Sequence, residues 1–307
     1  MGIYFVKEGN KMKEKKRHRL DRKDAWYVQD LDSMHALMPH MLPNRTANEA
    51  VMNETVDLTA IEAFLEKKNA DNPEFKYTFF HVIMAAAAKI CLLRPKLNRF
   101  YSAYRLYERK DIIMTFVVKK MFVDESPEAL AIINCEKSGV SPLEDIHEKV
   151  KKIVYSVRKE NKKDGTTDIM DSLVKMPRWL LKFVVGVLRW LEYHGHYPTS
   201  LMKEDPYYSS CFASNLGSIK MHAQYHHLAD WGTNSFFMII GEKKPTPVFK
   251  PDGTYEMHNV LELGMTIDER IADGLYFANS IKLFRHLLQN PELLELPIDT
   301  PVELPKK

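Results

Sequence analysis

Residues 235–241 (SFFMIIG) are apolar at nearly every position, so both alternating faces of a strand there are apolar. A strand of that kind suits the centre of a sheet, covered on both sides. It anchors an α/β reading of the chain. Around it the last third is β-rich. Residues 210–214 read as a strand, 215–218 as a turn, 250–254 as a hairpin-type turn and 260–267 as a second apolar strand. Residues 273–290 read as a closing helix, ended by Asn290-Pro291.

The first half supplies helices for such a sheet. Residues 55–58 predict a strand that passes into a helix over 59–68, with Ala60, Ile61, Phe64 and Leu65 on one face. Residues 79–93 predict a strongly apolar helix; the run 85–88 is all alanine and allows close packing. Arg94-Pro95 ends it, because proline disfavours the α-conformation at the residue before it. Two strand-like runs follow, 105–109 and 112–118, then a short apolar run at 129–134. Residues 142–159 predict an amphipathic helix with Ile146, Val150, Ile153, Val154 and Val157 as its buried stripe.

With 307 residues, 45% of them hydrophobic and 28% charged, the chain has the composition of a globular protein with a full core. The formal net charge of +3 is too weak to point to nucleic acid. Cys91, Cys135 and Cys211 form no C-x-x-C pair, which argues against a disulfide framework or a cysteine zinc site and favours a reducing, cytoplasmic setting. No signal-peptide pattern opens the chain. Residues 1–29 read as a basic arm, with the run 11–23 either a solvated segment or a contact for an anionic surface. Residues 297–307 read as a tail, which leaves 30–296 as the folded unit.

Residues 176–192 stand apart, as part of an insertion at about 161–205. Apolar side chains cover most of a helix surface, and Arg178, Lys182 and Arg189 share one narrow stripe. The charges rule against a bilayer span, which needs about 20 apolar residues. Three readings stay open: a core or oligomer-interface helix, a helix lying on a membrane surface, and a wall for a hydrophobic acyl chain.

Two segments carry a family resemblance. Phe212-Ala213-Ser214-Asn215-Leu216-Gly217 resembles an F-T-I-S-N-L-G block. Asp268-Glu269-Arg270-Ile271-Ala272-Asp273-Gly274 resembles a D-H-R-x-x-D-G signature. Both belong to the catalytic domain shared by chloramphenicol acetyltransferase and the dihydrolipoyl acyltransferases of 2-oxoacid dehydrogenase complexes. The resemblance extends more loosely over most of residues 30–294. It implies a two-layer α/β (α+β) sandwich with a mixed central sheet. It also implies a homotrimer with sites between subunits, coenzyme A as acyl carrier, and a small-molecule acceptor. No lipoyl or subunit-binding domain is recognisable, so a stand-alone protein without a lipoyl group is expected.

In that family the signature histidine is the general base and the block's serine stabilises the oxyanion. Carried over, the serine is Ser214, flanked by Asn215 and Gly217 of its block, and the base position is Glu269. A free glutamate, with a pKa near about 4.3, is a weak base unless burial changes that. Glu269 is therefore either a working base in an apolar tunnel or a structural carboxylate in a silent homologue that binds or scaffolds. The resemblance makes Asp273 a structural partner of an arginine, with Arg45 nearby to serve, and lets Gly274 pack tightly at the start of the last helix. Arg270 completes the signature. His226, His227 and His40 are alternative bases. Adjacent strand histidines point to opposite faces, so no metal site is expected. A peripheral membrane contact through 176–192 is compatible with either reading.

Overall fold

The computed structural model describes residues 18–119, 128–159 and 173–304. Its strands are β1 (Ala25–Tyr27), β2 (Glu49–Asp57), β3 (Arg99–Ser102), β4 (Arg105–Arg109), β5 (Ile112–Lys119), β6 (Glu128–Cys135), β7 (Cys211–Asn215), β8 (Phe236–Ile240), β9 (Lys244–Phe249) and β10 (Tyr255–Asp268). Its helices are α1 (Ser33–Met41), α2 (Thr59–Lys68), α3 (Phe79–Leu93), α4 (Pro142–Lys159), α5 (Arg178–Tyr193), α6 (Thr199–Glu204) and α7 (Gly274–Gln289).

The main sheet runs β2-β10-β8-β7-β5-β6, with β9 added on β10. β7 is parallel to β5 and β8, and the other pairs are antiparallel. The expected mixed sheet is thus present, and the apolar run at 236–240 sits in its middle with every residue buried. A smaller sheet, β1-β4-β3, lies beside it.

One face of the main sheet carries the helices. Ala213, Met238, Ile240, Met265 and Ile267 pack there with α3 and α7 in the principal core. Apart from His81 and Lys89, α3 is apolar all round, and its residues from Phe80 to Cys91 are all buried, as a helix with no polar face must be. The opposite face bears Phe212, Phe237 and Ile239, covered by Leu228. Strand alternation separates the two sets.

Thr78 caps α3 in an unusual box. The Thr78 backbone N–H donates to His81 Nδ1 at 3.0 Å, so this nitrogen carries no proton. Burial and the neighbouring His147 push the His81 pKa down to about 3. The sign follows from proton counting. Below the unfolded value of about 6.5 the unfolded chain binds a proton that the folded chain refuses. Stability should therefore fall as pH drops from about 6.5 toward about 3. His81→Gln keeps an acceptor at the cap and should flatten this slope in urea midpoints measured against pH.

The folded unit is longer than 30–296. Residues 25–27, expected in the arm, form β1, because their backbone completes the edge of β4. Residues 1–17 of the arm and 305–307 of the tail lie outside the described residues. The rest of the tail is held down: Ile298 is buried, and its N–H donates to Val140 O at 2.9 Å. Fully buried Lys89 of α3 donates to Pro297 O at 3.0 Å. With Leu293 O at 3.2 Å, this carbonyl gives the buried ammonium the acceptors it needs. β10 is also longer than 260–267, because β9 extends its pairing to Tyr255.

A core position for the helix at 176–192 is not what forms. α5 has no buried residue, and one of its faces points away from the protein. The part of the insertion from 161 to 172 lies outside the described residues.

Candidate active site

Ser214 lies near the end of β7, half-buried, on the face of the sheet opposite α3 and α7. Its neighbours in register are Ile239 of β8 and, beyond it, Gly264 of β10. After Asn215 the chain makes a single 3-10 turn, Leu216–Ile219, and crosses this face. The crossing is close. A Cβ on Gly217 would collide with the Gly241 carbonyl, and one on Gly264 with the Gln224 carbonyl. Glycine at both positions lets the backbone lie flat across β8 and β10.

Glu269 follows β10 at its other end. The peptide there is fixed: the Glu269 N–H donates to Asn48 O at 2.9 Å. The side chain itself is exposed in the single chain. On either side of it, Asp268 and Arg270 turn inward, 0% and 1% exposed. Arg270 grips Asp268 with two parallel bonds, Nε to Oδ1 at 2.8 Å and Nη2 to Oδ2 at 2.7 Å. Its remaining nitrogen donates to Leu42 O at 2.7 Å and Pro43 O at 3.1 Å, which fastens the end of α1 to the signature turn.

This geometry corrects the expected partner of Asp273. Buried Arg45 lies nearest Asp268, Nε to Oδ2 at 3.8 Å. Burial pushes the Arg45 pKa down and Asp268 pulls it back up. Asp273 is exposed and accepts from Tyr276 N at 2.9 Å as the N-cap of α7, with Lys96 its nearest cation at 3.9 Å. The cause is local. A carboxylate just before a helix is claimed by the first-turn N–H groups, whereas Asp268 still belongs to a strand and points into the protein. Helix capping, first, and Lys96 hold the Asp273 carboxyl below its usual range. The tight packing expected of Gly274 is also not present, because nothing lies within 4 Å of where its Cβ would be.

The register places Ser214 and Glu269 far apart. Gly264 is level with Ser214, and Glu269 is five residues further along. At about 3.3 Å per residue this is about 16 Å along the strand, plus two strand spacings of about 4.8 Å across. One chain does not bring these two side chains together.

The alternative bases have the following contacts. His40 stacks on Tyr104 with ring centres 5.0 Å apart. His226 lies flat on Phe237 at 4.2 Å, and its Nδ1–H donates to His227 O at 2.8 Å. His227 Nδ1–H donates in turn to Leu228 O at 3.0 Å. Among the described residues no group of three or more His, Cys, Asp or Glu could hold a metal ion. Sequence reasoning missed the buried role of Asp268. Its place at the inner end of a long apolar strand, two residues before an arginine, was the available signal.

Residues 200–296 match the family model for the 2-oxoacid dehydrogenases acyltransferase (catalytic domain). A curated relative is component 4 of the Arabidopsis thaliana chloroplast pyruvate dehydrogenase complex, a dihydrolipoyllysine-residue acetyltransferase. It is 27% identical over 131 residues, 42% of this chain and 26% of that protein. The match thus spans about a quarter of its length. Among solved structures, the dihydrolipoamide acetyltransferase of Azotobacter vinelandii is similar with a TM-score of 0.56 and 15% identity, over 88% of this chain and 94% of that one. The cubic core of a pyruvate dehydrogenase multienzyme complex gives 0.51 and 14%, over the same 88% and 94%. The chain therefore shares its fold with these acetyltransferase structures, and residues 200–296 match the family model for the 2-oxoacid dehydrogenases acyltransferase (catalytic domain).

Proposed function

We propose that this protein transfers an acyl group from coenzyme A to a small hydroxyl or thiol acceptor, at sites shared by neighbouring chains of a trimer. The observation that carries the reading is the separation of Ser214 and Glu269 along the sheet, five residues and two strands apart. A site that uses both must draw them from two chains. The match over 200–296 contains both residues. Studies of the Azotobacter protein concern a serine, a histidine and an asparagine four places after the histidine in its catalytic mechanism. Glu269 and Asp273 have the same spacing. The similar cubic core supports assembly of such chains around their own symmetry.

In this reading Glu269 stands at the base position. The exposed carboxylate becomes enclosed only when a neighbouring chain covers it, which supplies the desolvation a carboxylate base needs. It takes the proton of the acceptor O–H or S–H as the acceptor attacks the thioester carbon. Ser214 Oγ–H donates to the tetrahedral oxyanion. The carbon–sulfur bond then breaks, and the coenzyme A sulfur receives the proton from Glu269. Asp273 contributes by starting α7, and the buried Asp268–Arg270 pair holds the turn that presents Glu269.

The test is release of coenzyme A thiol from a panel of acyl-coenzyme A donors with hydroxyl and thiol acceptors. Acceptor-dependent release that Ser214→Ala lowers supports the reading. No release with any donor favours a silent homologue that only binds.

A further inference from the structure

The outward face of α5 is a feature that acyl transfer leaves unexplained. Trp179, Phe183, Val187 and Trp190 are 72%, 66%, 40% and 59% exposed. Their spacing of four, four and three residues puts them on one face of the helix. Tyr193 continues this face, and its ring meets exposed Tyr104 edge-on at 6.4 Å. A contiguous row of large apolar side chains in water marks a contact surface.

Its surroundings say what kind of contact. Arg178, Lys182 and Arg189 form a cationic row along one edge of the apolar face. The one carboxylate of α5, Glu192, is turned into the protein. It accepts from buried Arg22 at 2.8 Å and from Ser102 Oγ at 3.0 Å. This partly buried ion pair also fixes which side of α5 faces outward. The exposed surface therefore offers two tryptophans, further apolar side chains and three cations, with no anion of its own. No described helix is long and apolar enough to cross a membrane.

We propose that α5 is a docking helix for an anionic phospholipid surface, lying in the plane of the interface. Its apolar row enters the acyl boundary, and its cations meet lipid phosphates. Tryptophan suits that depth because one end of the indole is apolar and the other donates a hydrogen bond. Charge decides against a second copy of this chain as the occupant. Two such faces brought together would add cation to cation with no carboxylate between them. The proposal does not depend on the acyl-transfer reading.

The test is cosedimentation of the full chain with vesicles of phosphatidylcholine alone, or mixed with phosphatidylglycerol. Three cations near an anionic surface correspond to about a hundredfold preference for the mixed vesicles at low salt. Added salt should weaken it, and tryptophan emission should shift to the blue on binding. The variant W179S/F183S/W190S should lose binding. The variant R178Q/K182Q/R189Q should keep weak binding and lose the preference for anionic lipid. Neither set touches a buried side chain, so circular dichroism and the thermal midpoint should match the parent protein. Absence of binding to either vesicle overturns the proposal. So does binding that survives the serine variant unchanged. A smaller assembly in light scattering for the serine variant, without vesicle binding by the parent, would assign the face to a subunit contact instead.

Discussion

Glu269→Gln should lower acyl transfer by about 10²–10⁴-fold, the usual range for loss of a positioned general base. The substitution keeps size and shape, and the side chain is exposed in the single chain. Folding should therefore be unchanged, and thiol release should fall through kcat with little change in KM. A carboxamide at this position lacks the ability to take the acceptor's proton, while the oxyanion contact from Ser214 persists. Glu269→His is the converse measurement. An imidazole there should retain transfer, because it too takes a proton. Full activity in Glu269→Gln would remove the base role and leave Glu269 as a bystander. Activity that appears only in Glu269→His would make the natural protein a silent homologue.

The second large effect is on stability and falls on the neighbouring residue. Asp268→Ala should cost about 3–5 kcal/mol, because it leaves a buried cation without its counter-charge. Arg270 and Arg45 are 1% and 6% exposed, and Asp268 lies between them at 0%. Against a total stability of about 5–15 kcal/mol, such a loss should be plain in a denaturant midpoint or in soluble yield. Asp273→Asn is the matched control. Asparagine caps a helix as well as aspartate does, so this variant should stay within about 0.5 kcal/mol of the parent. Equal effects at 268 and 273 would contradict the assignment of the buried charge to Asp268.

How much of this was legible in the sequence depended on how local the cause was. The helix α3 was readable, because an almost wholly apolar run over 79–93 is stopped by Arg94-Pro95. The apolar strand at 236–240 was equally plain. β1 was not, since three residues carry no period and its pairing with β4 is set by contacts about 80 positions away. α1 was hidden by Pro39 inside it; Met34, Leu37 and Met41 have helical spacing but are exposed in the fold and mark no core face. α5 was visible as a helix, yet apolar residues on most of its circumference gave no sign of which side the protein covers.

The site divides the same way. Ser214 and Glu269 could be picked out as residues, but their distance follows from the register, which sets Ser214 level with Gly264, and from strand order, which places β8 between β7 and β10. No spacing in the sequence encodes that. The choice between Asp268 and Asp273 turned on burial alone. Both stand in one seven-residue motif, and only the fold sends one inward and the other to a helix cap.

The shared site is best tested by mixing two inactive variants. Ser214→Ala and Glu269→Gln are prepared separately, unfolded together in equal amounts and refolded so that mixed assemblies form. In a ring where each site takes Ser214 from one chain and Glu269 from the next, about one quarter of the sites regain both residues. Thiol release should then recover to about a quarter of the parent rate, although each variant alone is inactive. If mixed assemblies form and no activity returns, the two residues do not act across a subunit boundary, and the central claim fails.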